Sequence, residues 1–140
     1  MRGAITIGEY ACLNNIIVGP GVDECASWYE QTDWLGVIFA PSAQFIIDER
    51  CNELKRTNIN TDGASPELWT DSKIVQYNNI PVKNGIRGIK YCVDWGNDAK
   101  ILNKILENTI SLSRDIAIKY INTNEYLYCL RPGEGSTNEN

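Results

Sequence analysis

The sequence contains no histidine. Histidine is the commonest general base near neutral pH, the usual partner of a serine or cysteine nucleophile, and the commonest zinc ligand. Its absence excludes zinc hydrolases and cysteine–histidine proteases from the candidate functions. Any catalysis by this chain has to use carboxylates, lysines, or a carboxylate-bound Mg²⁺ or Mn²⁺ ion.

The chain also lacks long apolar runs and an excess of positive charge. No run approaches the roughly 20 residues that span a bilayer, and the opening residues MRGAITIGEY carry no secretion signal, so no membrane partner is predicted. The net charge is −5. Such a chain has no basic surplus to neutralise phosphates, which argues against nucleic acid as a partner.

The cysteines form no Cys-x-x-Cys pair and lie far apart in the sequence. An odd number of cysteines without a secretion signal is typical of reduced thiols and predicts a cytoplasmic protein. Each cysteine is expected to be a small buried apolar side chain. The five positions are Cys12, Cys25, Cys51, Cys92 and Cys129.

The patterns that are present predict one α+β domain over residues 1–130, followed by a disordered tail over 131–140. Ser42 and Thr123 are predicted helix caps, and the polar stretch 57–71 is predicted to be a surface loop. Apolar periodicity predicts strands over 2–8 and 34–40 and helices over 23–31, 42–56 and 97–121. It also predicts a hairpin over 73–95 around Asn84-Gly85 and a last helical turn over 125–130, and residues 15–18 are a short apolar run.

Two glycines, Gly19 and Gly21, stand where an apolar run gives way to a helix in the stretch IIVGPGVDECASWYE. Backbone N–H groups at the amino end of a helix attract anions, so this turn is a candidate phosphate loop. Asp23 in the first helical turn already complements the helix dipole and repels a phosphate. A tight structural turn with an acidic first helical turn is therefore the favoured interpretation, and the phosphate loop is the alternative.

Other charged candidates have equally plain interpretations. The carboxylates of Asp23, Glu24 and Glu30 could bind a metal, but adjacent helical residues point in different directions. We therefore expect a solvated acidic face and no metal site. Lys83 in IPVKNG, beside the hairpin turn, is either a phosphate contact or simply an exposed lysine.

Four stretches occur in a recognisable order: RGAITIGE, VGPGVDECASWYE, DWLGVIFAPSA and PVKNGIRGIKYCVDW. Together they resemble the C-terminal half of a class III nucleotide cyclase homology domain, in particular a degenerate bacterial cyclase-like group. The second stretch resembles the family's Gly-x-x-Val-Asn-x-Ala-x-Arg turn and helix and matches at Gly19 and Val22. The fourth resembles its Val-Lys-Gly hairpin, with Lys83 at the lysine. The order and spacing agree from about Arg2 to Trp95.

The resemblance implies a ferredoxin-like, cyclase-type α+β fold with an antiparallel or mixed sheet, helices on one face, and an incomplete N-terminal half. In the family, two metal-binding aspartates lie on strands that precede the region matching Arg2. Family members work as head-to-tail dimers with sites at the interface. The resemblance thus implies a homo- or hetero-dimer, no cofactor in this chain, and Mg²⁺ or Mn²⁺ with a nucleotide only when a partner completes the site.

The positions that perform the chemistry in the family differ here. The family's asparagine orients the ribose and corresponds to Asp23, and its arginine stabilises the transition-state charge and corresponds to Ser27. The family's base-recognition acid corresponds to Ile16. Lys83 keeps its type, and the family's lysine contacts the triphosphate. The implied nucleotide-binding positions are therefore Lys83, Asp23 and Ser27, and no residue stands out as catalytic.

Three functions follow as hypotheses. The first is a non-catalytic cyclase-like domain that acts as a nucleotide-binding, regulatory or dimerisation module. The second is one part of an active class III nucleotide cyclase, which converts a nucleoside triphosphate to a cyclic nucleotide and pyrophosphate once another chain supplies the metal-binding aspartates. The third is an unrelated α+β domain. The substitutions at Asp23 and Ser27 favour the first and argue against an enzyme.

Overall fold

The structure, a computed structural model, describes residues 2–57, 73–95 and 113–130. Three predicted segments lie outside the described residues. They are the loop after Thr57, residues 97–112 of the predicted helix over 97–121, and the tail over 131–140. The elements in chain order are β1 (Gly3–Ile5), β2 (Ala11–Leu13), β3 (Ile16–Val18), α1 (Pro20–Gln31), β4 (Val37–Phe39), α2 (Pro41–Thr57), β5 (Ile74–Gln76), a 3₁₀ turn (Lys83–Gly85), β6 (Tyr91–Val93) and α3 (Arg114–Leu130).

Four of the strands form one mixed sheet in the order β1-β4-β6-β5. β4 runs parallel to β1 and antiparallel to β6, and β5 is antiparallel to β6. β2 and β3 form a separate antiparallel hairpin inserted between β1 and α1. The structure therefore confirms the predicted α+β class with a mixed sheet.

Helices cover both faces of this sheet, so the expectation that they share one face is wrong. On one face, Ile38 and Cys92 pack with Trp28 of α1 and Tyr126 of α3. On the other face, Phe39 and Tyr91 pack against Ala43 of α2, with Ile47, Ile74 and Val93 beside them. The physical reason is that β4 consists of three consecutive apolar residues, so both of its faces need cover.

The two predicted helix caps are wrong as well. α2 begins at Pro41, one residue before Ser42, because proline suits the first position of a helix, where an N–H would have no partner. Thr123 lies inside α3 and is fully buried. Its hydroxyl donates to the Lys119 carbonyl at 2.6 Å and accepts the Leu35 N–H at 2.8 Å, which ties α3 to the chain entering β4.

The predicted hairpin over 73–95 is present, but its strands are short. Asn84 and Gly85 have φ values of 59° and 67°, the left-handed pair that Asn-Gly favours in tight hairpin turns. The chain beside this turn does not continue the ladder between β5 and β6. Val82 instead forms a bridge with Thr32, just after α1, which draws the hairpin connection toward the carboxyl end of that helix.

An aromatic cluster forms the centre of the larger core. Trp34 and Tyr126 are completely buried and meet edge to face, with ring centroids 5.0 Å apart. Tyr77 and Trp95 pack on the same tyrosine. Burial raises the pKa of Tyr77 to about 12 and that of the neighbouring Cys92 to about 12, so both groups are neutral at physiological pH. The cluster lies on the sheet face that α1 and α3 cover.

Candidate functional site

The junction between β1 and α1 depends on two glycines whose backbones touch. A Cβ added at Gly8 would lie 2.9 Å from the Gly21 Cα, and one added at Gly21 would lie 3.1 Å from the Gly8 Cα. The Thr6 hydroxyl donates to the Gly21 carbonyl at 2.8 Å. The amino end of α1 is thereby held directly against the chain that leaves β1.

The glycine turn itself has the geometry of the favoured structural interpretation. Gly19 has a φ of 148°, and its carbonyl accepts the N–H groups of Val22 and Asp23 at 2.9 and 3.0 Å. Pro20 has no N–H, and Gly21 is buried against the strand. The donors that a phosphate loop needs are absent, internally bonded or buried, so this turn offers a phosphate little to bind.

Asp23 and Ser27 lie one turn apart on the outward face of α1, and both are exposed. Glu30 lies on the same face, also exposed. This part of the solvated acidic face is therefore as predicted. The chain contains no lysine or arginine between residues 3 and 49, so the face is acidic without a compensating cation from its own segment.

Glu24 does not belong to that solvated face. It is half-buried, and one of its carboxylate oxygens accepts the Ser42 N–H at 3.0 Å. Ser42 in turn accepts the Ile7 N–H at 2.9 Å on its hydroxyl oxygen. Glu24 thus places a negative charge at the amino end of α2, where an anion is stabilised. The sequence offers no signal for this contact, because the two residues belong to different helices.

Lys83 and Asp23 lie near opposite ends of α1. It is exposed in the 3₁₀ turn and directly follows Val82, which bridges to Thr32 at the carboxyl end of the helix. Position 32 is nine residues after position 23, which corresponds to about 14 Å along the helix axis. The structure therefore brings Asp23 and Ser27 together on one face and leaves Lys83 at the other end of the helix.

The start of β6 is tied to α2 by a charged network that sequence reasoning missed. The Tyr91 hydroxyl donates to an Asp48 carboxylate oxygen at 2.6 Å, and the Lys90 ammonium lies 2.9 Å from the same oxygen. Partial burial pushes the Asp48 pKa upward, but these two partners outweigh it and hold the pKa below its ordinary value of 3.8. Burial, and then the Asp48 carboxylate, raise the pKa of Tyr91. This network has the features of a structural tie.

The connection between β5 and β6 is the cationic part of the described chain. From Lys73 to Val93 the sequence contains no acidic residue. Lys83 and Arg87 are exposed in it, whereas Lys90 is paired with Asp48. Arg87 is one of the residues that line a groove of about 490 Å³. The others are Asn78, Asn79, Ile80, Ile86, Gly88 and Ile89.

The thiols fall into two groups, and the expectation that all are buried is wrong for one of them. Cys51 and Cys92 are buried, and Cys25 is half-buried. Cys12 on β2 and Cys129 on α3 are exposed, because their elements leave those sides uncovered. Over the described ranges, no group of three or more acidic or cysteine side chains could hold a metal ion. None of the helices in these ranges is long and apolar enough to cross a bilayer.

The fold and these contacts define an α+β domain with a mixed four-stranded sheet, an acidic helix face and a cationic hairpin connection. Comparison of the chain with protein-family models, curated proteins and solved structures finds no significant match.

Proposed function

We propose that this chain is a non-catalytic, cyclase-like binding module that holds the phosphate groups of a nucleotide on the connection between β5 and β6. The observation that carries this proposal is the separation of charge along the chain. Residues 3–49 contain no cation, and residues 73–93 contain no acid. A phosphate is attracted to the second segment and repelled by the first.

The α1 face is the weaker partner for a phosphate. It presents Asp23 and Glu30, and Ser27 stands where the cyclase family has its transition-state arginine. A serine has no charge to offset the negative charge that develops on a transferring phosphoryl group. The α1 face therefore offers no cation for phosphoryl chemistry, which supports a non-catalytic role for the module.

The hairpin connection has the complementary features. Lys83 and Arg87 are exposed and lie close in sequence beside the Asn84-Gly85 turn. A Cβ added at Gly85 or Gly88 would meet nothing within 4 Å, so there is open space beside both positions, although the Gly88 carbonyl accepts the Gln44 side-chain N–H at 2.7 Å. Arg87 lines the groove of about 490 Å³, and Lys83 is a second exposed cation four residues before it, so the connection provides room and charge for a phosphate-bearing ligand.

The proposal places the module in the cytoplasm, where nucleotides are abundant as complexes with Mg²⁺. All five thiols of the chain are free, which supports a reducing compartment. The metal ion enters this proposal with the nucleotide and needs no carboxylate cluster of the chain's own.

Isothermal titration of the whole chain with ATP, GTP, UTP and CTP in the presence of Mn²⁺ tests the proposal. We expect saturable binding of at least one nucleotide. Lys83→Ala and Arg87→Ala should each weaken that binding about tenfold, because each removes a charge-assisted contact. Lys73→Ala is the matched control, since it removes an exposed cation of the same segment away from the turn.

Flat titrations for all four nucleotides would end the nucleotide-binding proposal. An equal loss of affinity in the Lys73 variant would show general charge attraction in place of a site on the connection. Assay of the same samples for cyclic nucleotide and pyrophosphate tests the non-catalytic part. Product above the rate without protein would favour the alternative of a cyclase completed by another chain.

A further inference from the structure

The turn between Lys83 and Arg87 contains the one Asn-Gly pair of the sequence, Asn84-Gly85. In such a pair the backbone nitrogen of the glycine can attack the side-chain amide of the asparagine, because glycine has no side chain that shields its nitrogen. The product is a cyclic imide, which water opens to an aspartate. Residues 83–88 are all exposed, so water and hydroxide reach this turn.

The space around the turn allows this ring to close. A Cβ added at Gly85 would meet nothing within 4 Å among the described residues. Asn84 has a φ of 59° and a ψ of 21°, and its ψ has to change before the Gly85 nitrogen reaches the side-chain carbon. The hydrogen bond from the Ile86 N–H to the Lys83 carbonyl, which spans the turn, is long at 3.4 Å and opposes this change only weakly.

The chain before the turn is fixed to the end of α1. Val82 forms a bridge with Thr32, and the Pro81 carbonyl accepts the Asp33 N–H at 2.9 Å. These backbone contacts hold the segment that enters the turn. A rotation at Asn84 therefore leaves the residues before Lys83 in place.

The chain after the turn is fixed to α2 and to the core. The Gln44 side chain donates an N–H to the Gly88 carbonyl at 2.7 Å and accepts the Lys90 N–H at 2.8 Å. Ile89, between these two residues, is buried in the larger core. Residues 83–87 thus form an exposed loop with both ends anchored, and a chemical change within it leaves the sheet intact.

Backbone conformation alone does not distinguish Asn84 from other asparagines. Among the described residues, Asn14 and Asn15 also have positive φ and also lie in an exposed turn. They are followed by Asn15 and Ile16, whose side chains stand beside the nitrogen that would attack. The glycine after Asn84, with open space beside it, is the feature that the other turn lacks.

We propose that Asn84 is a site of spontaneous deamidation, and that the resulting carboxylate weakens phosphate binding by the connection between β5 and β6. The second half of this inference rests on the function proposed above. Residues 73–93 contain no acid, and Lys83 and Arg87 are the exposed cations beside the turn. A carboxylate at position 84 would be the first acid of this segment and would lie between the two cations in sequence. It would therefore reduce the attraction of the turn for a phosphate.

The reaction needs only water and hydroxide. The Gly85 amide loses its proton to hydroxide, and its nitrogen forms a bond to Asn84 Cγ. The bond from Cγ to Nδ2 breaks, and the side-chain nitrogen leaves as ammonia after it takes a proton from water. A second water opens the imide at Cγ, which gives aspartate, or at the main-chain carbonyl carbon, which gives isoaspartate with an extra methylene in the backbone. In total, water is consumed, ammonia is released, and nothing is oxidised or reduced.

Mass spectrometry of the whole chain, intact and after peptide mapping, tests the modification without any ligand. During incubation at mildly alkaline pH, Asn84 should be converted before any other asparagine, since no other precedes a glycine. The rate should rise about tenfold per pH unit, because the reacting form is the deprotonated Gly85 amide. Asn84→Gly is the matched control, since glycine suits the left-handed turn and has no amide to lose. Conversion of other asparagines while Asn84 stays intact, or an unchanged total rate in Asn84→Gly, would overturn the inference.

Isothermal titration with inorganic pyrophosphate tests the consequence for binding. Asn84→Asp, which reproduces the aspartate product, should bind about tenfold more weakly than the native chain. Gln76→Glu is the matched control and should bind like the native chain, because it adds the same charge at an exposed position on β5, away from the turn. Native affinity in Asn84→Asp, or an equal loss in Gln76→Glu, would overturn the second half. A fresh native chain that binds neither pyrophosphate nor any of the four nucleotides would end the proposed function and this second half together, whereas the mass measurement would still decide the modification.

Discussion

β4 and the hairpin of β2 and β3 are both short apolar strand segments, but β4 is buried and the hairpin is exposed. Ile38 of β4 is completely buried on the sheet face that α1 and α3 cover, whereas Ile16 of β3 is 65% exposed. The two side chains have the same intrinsic preference for strands and for burial. The comparison shows that an apolar strand is buried where helices pack on it, and within the described residues α1, α2 and α3 pack on the four-stranded sheet that contains β4.

The largest expected effect comes from shortening the same side chain in the two regions. Ile38→Ala should lower the free energy of unfolding by about 2–5 kcal/mol, because it leaves a cavity in a packed core. Ile16→Ala should change it by less than about 0.5 kcal/mol, because the side chain is mostly in water already. Urea unfolding of both variants and the native chain measures the two changes in the free energy of unfolding. Similar losses in the two variants would contradict the burial difference.

A smaller effect is expected where a glycine makes room for the aromatic cluster. A Cβ at Gly36 would lie 2.6 Å from the indole ring of Trp34, which is buried and has little room to move. We expect Gly36→Ala to cost about 1–3 kcal/mol through overpacking.

Gly3→Ala is the control for that substitution, since its Cβ would make an ordinary contact of 3.6 Å with Val37. Thermal unfolding followed by near-ultraviolet circular dichroism reports on the tryptophan environment directly. Equal melting temperatures for the two variants would show that the aromatic cluster tolerates the added methyl group.

The smallest expected effect concerns the Asp48 network, which joins α2 to β6. Asp48 has a folded-state pKa below 3.8, so its ion pair stabilises the folded state fully above the unfolded-state pKa. That contribution is lost as the pH falls through the folded-state value. The Asp48 side chain is about one-third exposed, which keeps the contribution below about 1 kcal/mol.

We therefore expect Asp48→Asn to be slightly less stable than the native chain at pH 7 and equally stable near pH 2. Urea unfolding across this pH range measures the difference, and Asp23→Asn, an exposed carboxylate of α1, is the control. A constant difference between native chain and Asp48→Asn at all pH values would mean that the lost hydrogen bond matters more than the charge.

Much of the local structure could be predicted from the sequence. The apolar periodicity of α1 and α2 and the continuous apolar run at β4 were sufficient to place these elements within a few residues. Asn84-Gly85 adopts the left-handed turn that this pair favours. The sequence does not predict β2 and β3 as strands, because three residues give too little alternation, although Asn14-Asn15, both with positive φ, lie in the turn between them.

The candidate site was less predictable. Exposure of Asp23 and Ser27 on one helix face follows from helical spacing alone. The bond between Glu24 and Ser42 does not, because it joins two helices whose relative position is set by the sheet. The distance between Lys83 and Asp23 likewise depends on the bridge from Val82 to Thr32, which no local pattern announces.

The sequence by itself determined the α+β class, the absence of histidine chemistry, the acidic α1 face and the cationic segment 73–93. These properties depend on residue type and on local spacing, which are written in the order of the amino acids. Only the tertiary structure decided the strand order, the placement of helices on both faces, and the exposure of β2 and β3. Such features depend on contacts between distant residues, and two isoleucines with the same local preference differ only in what the rest of the chain brings to them.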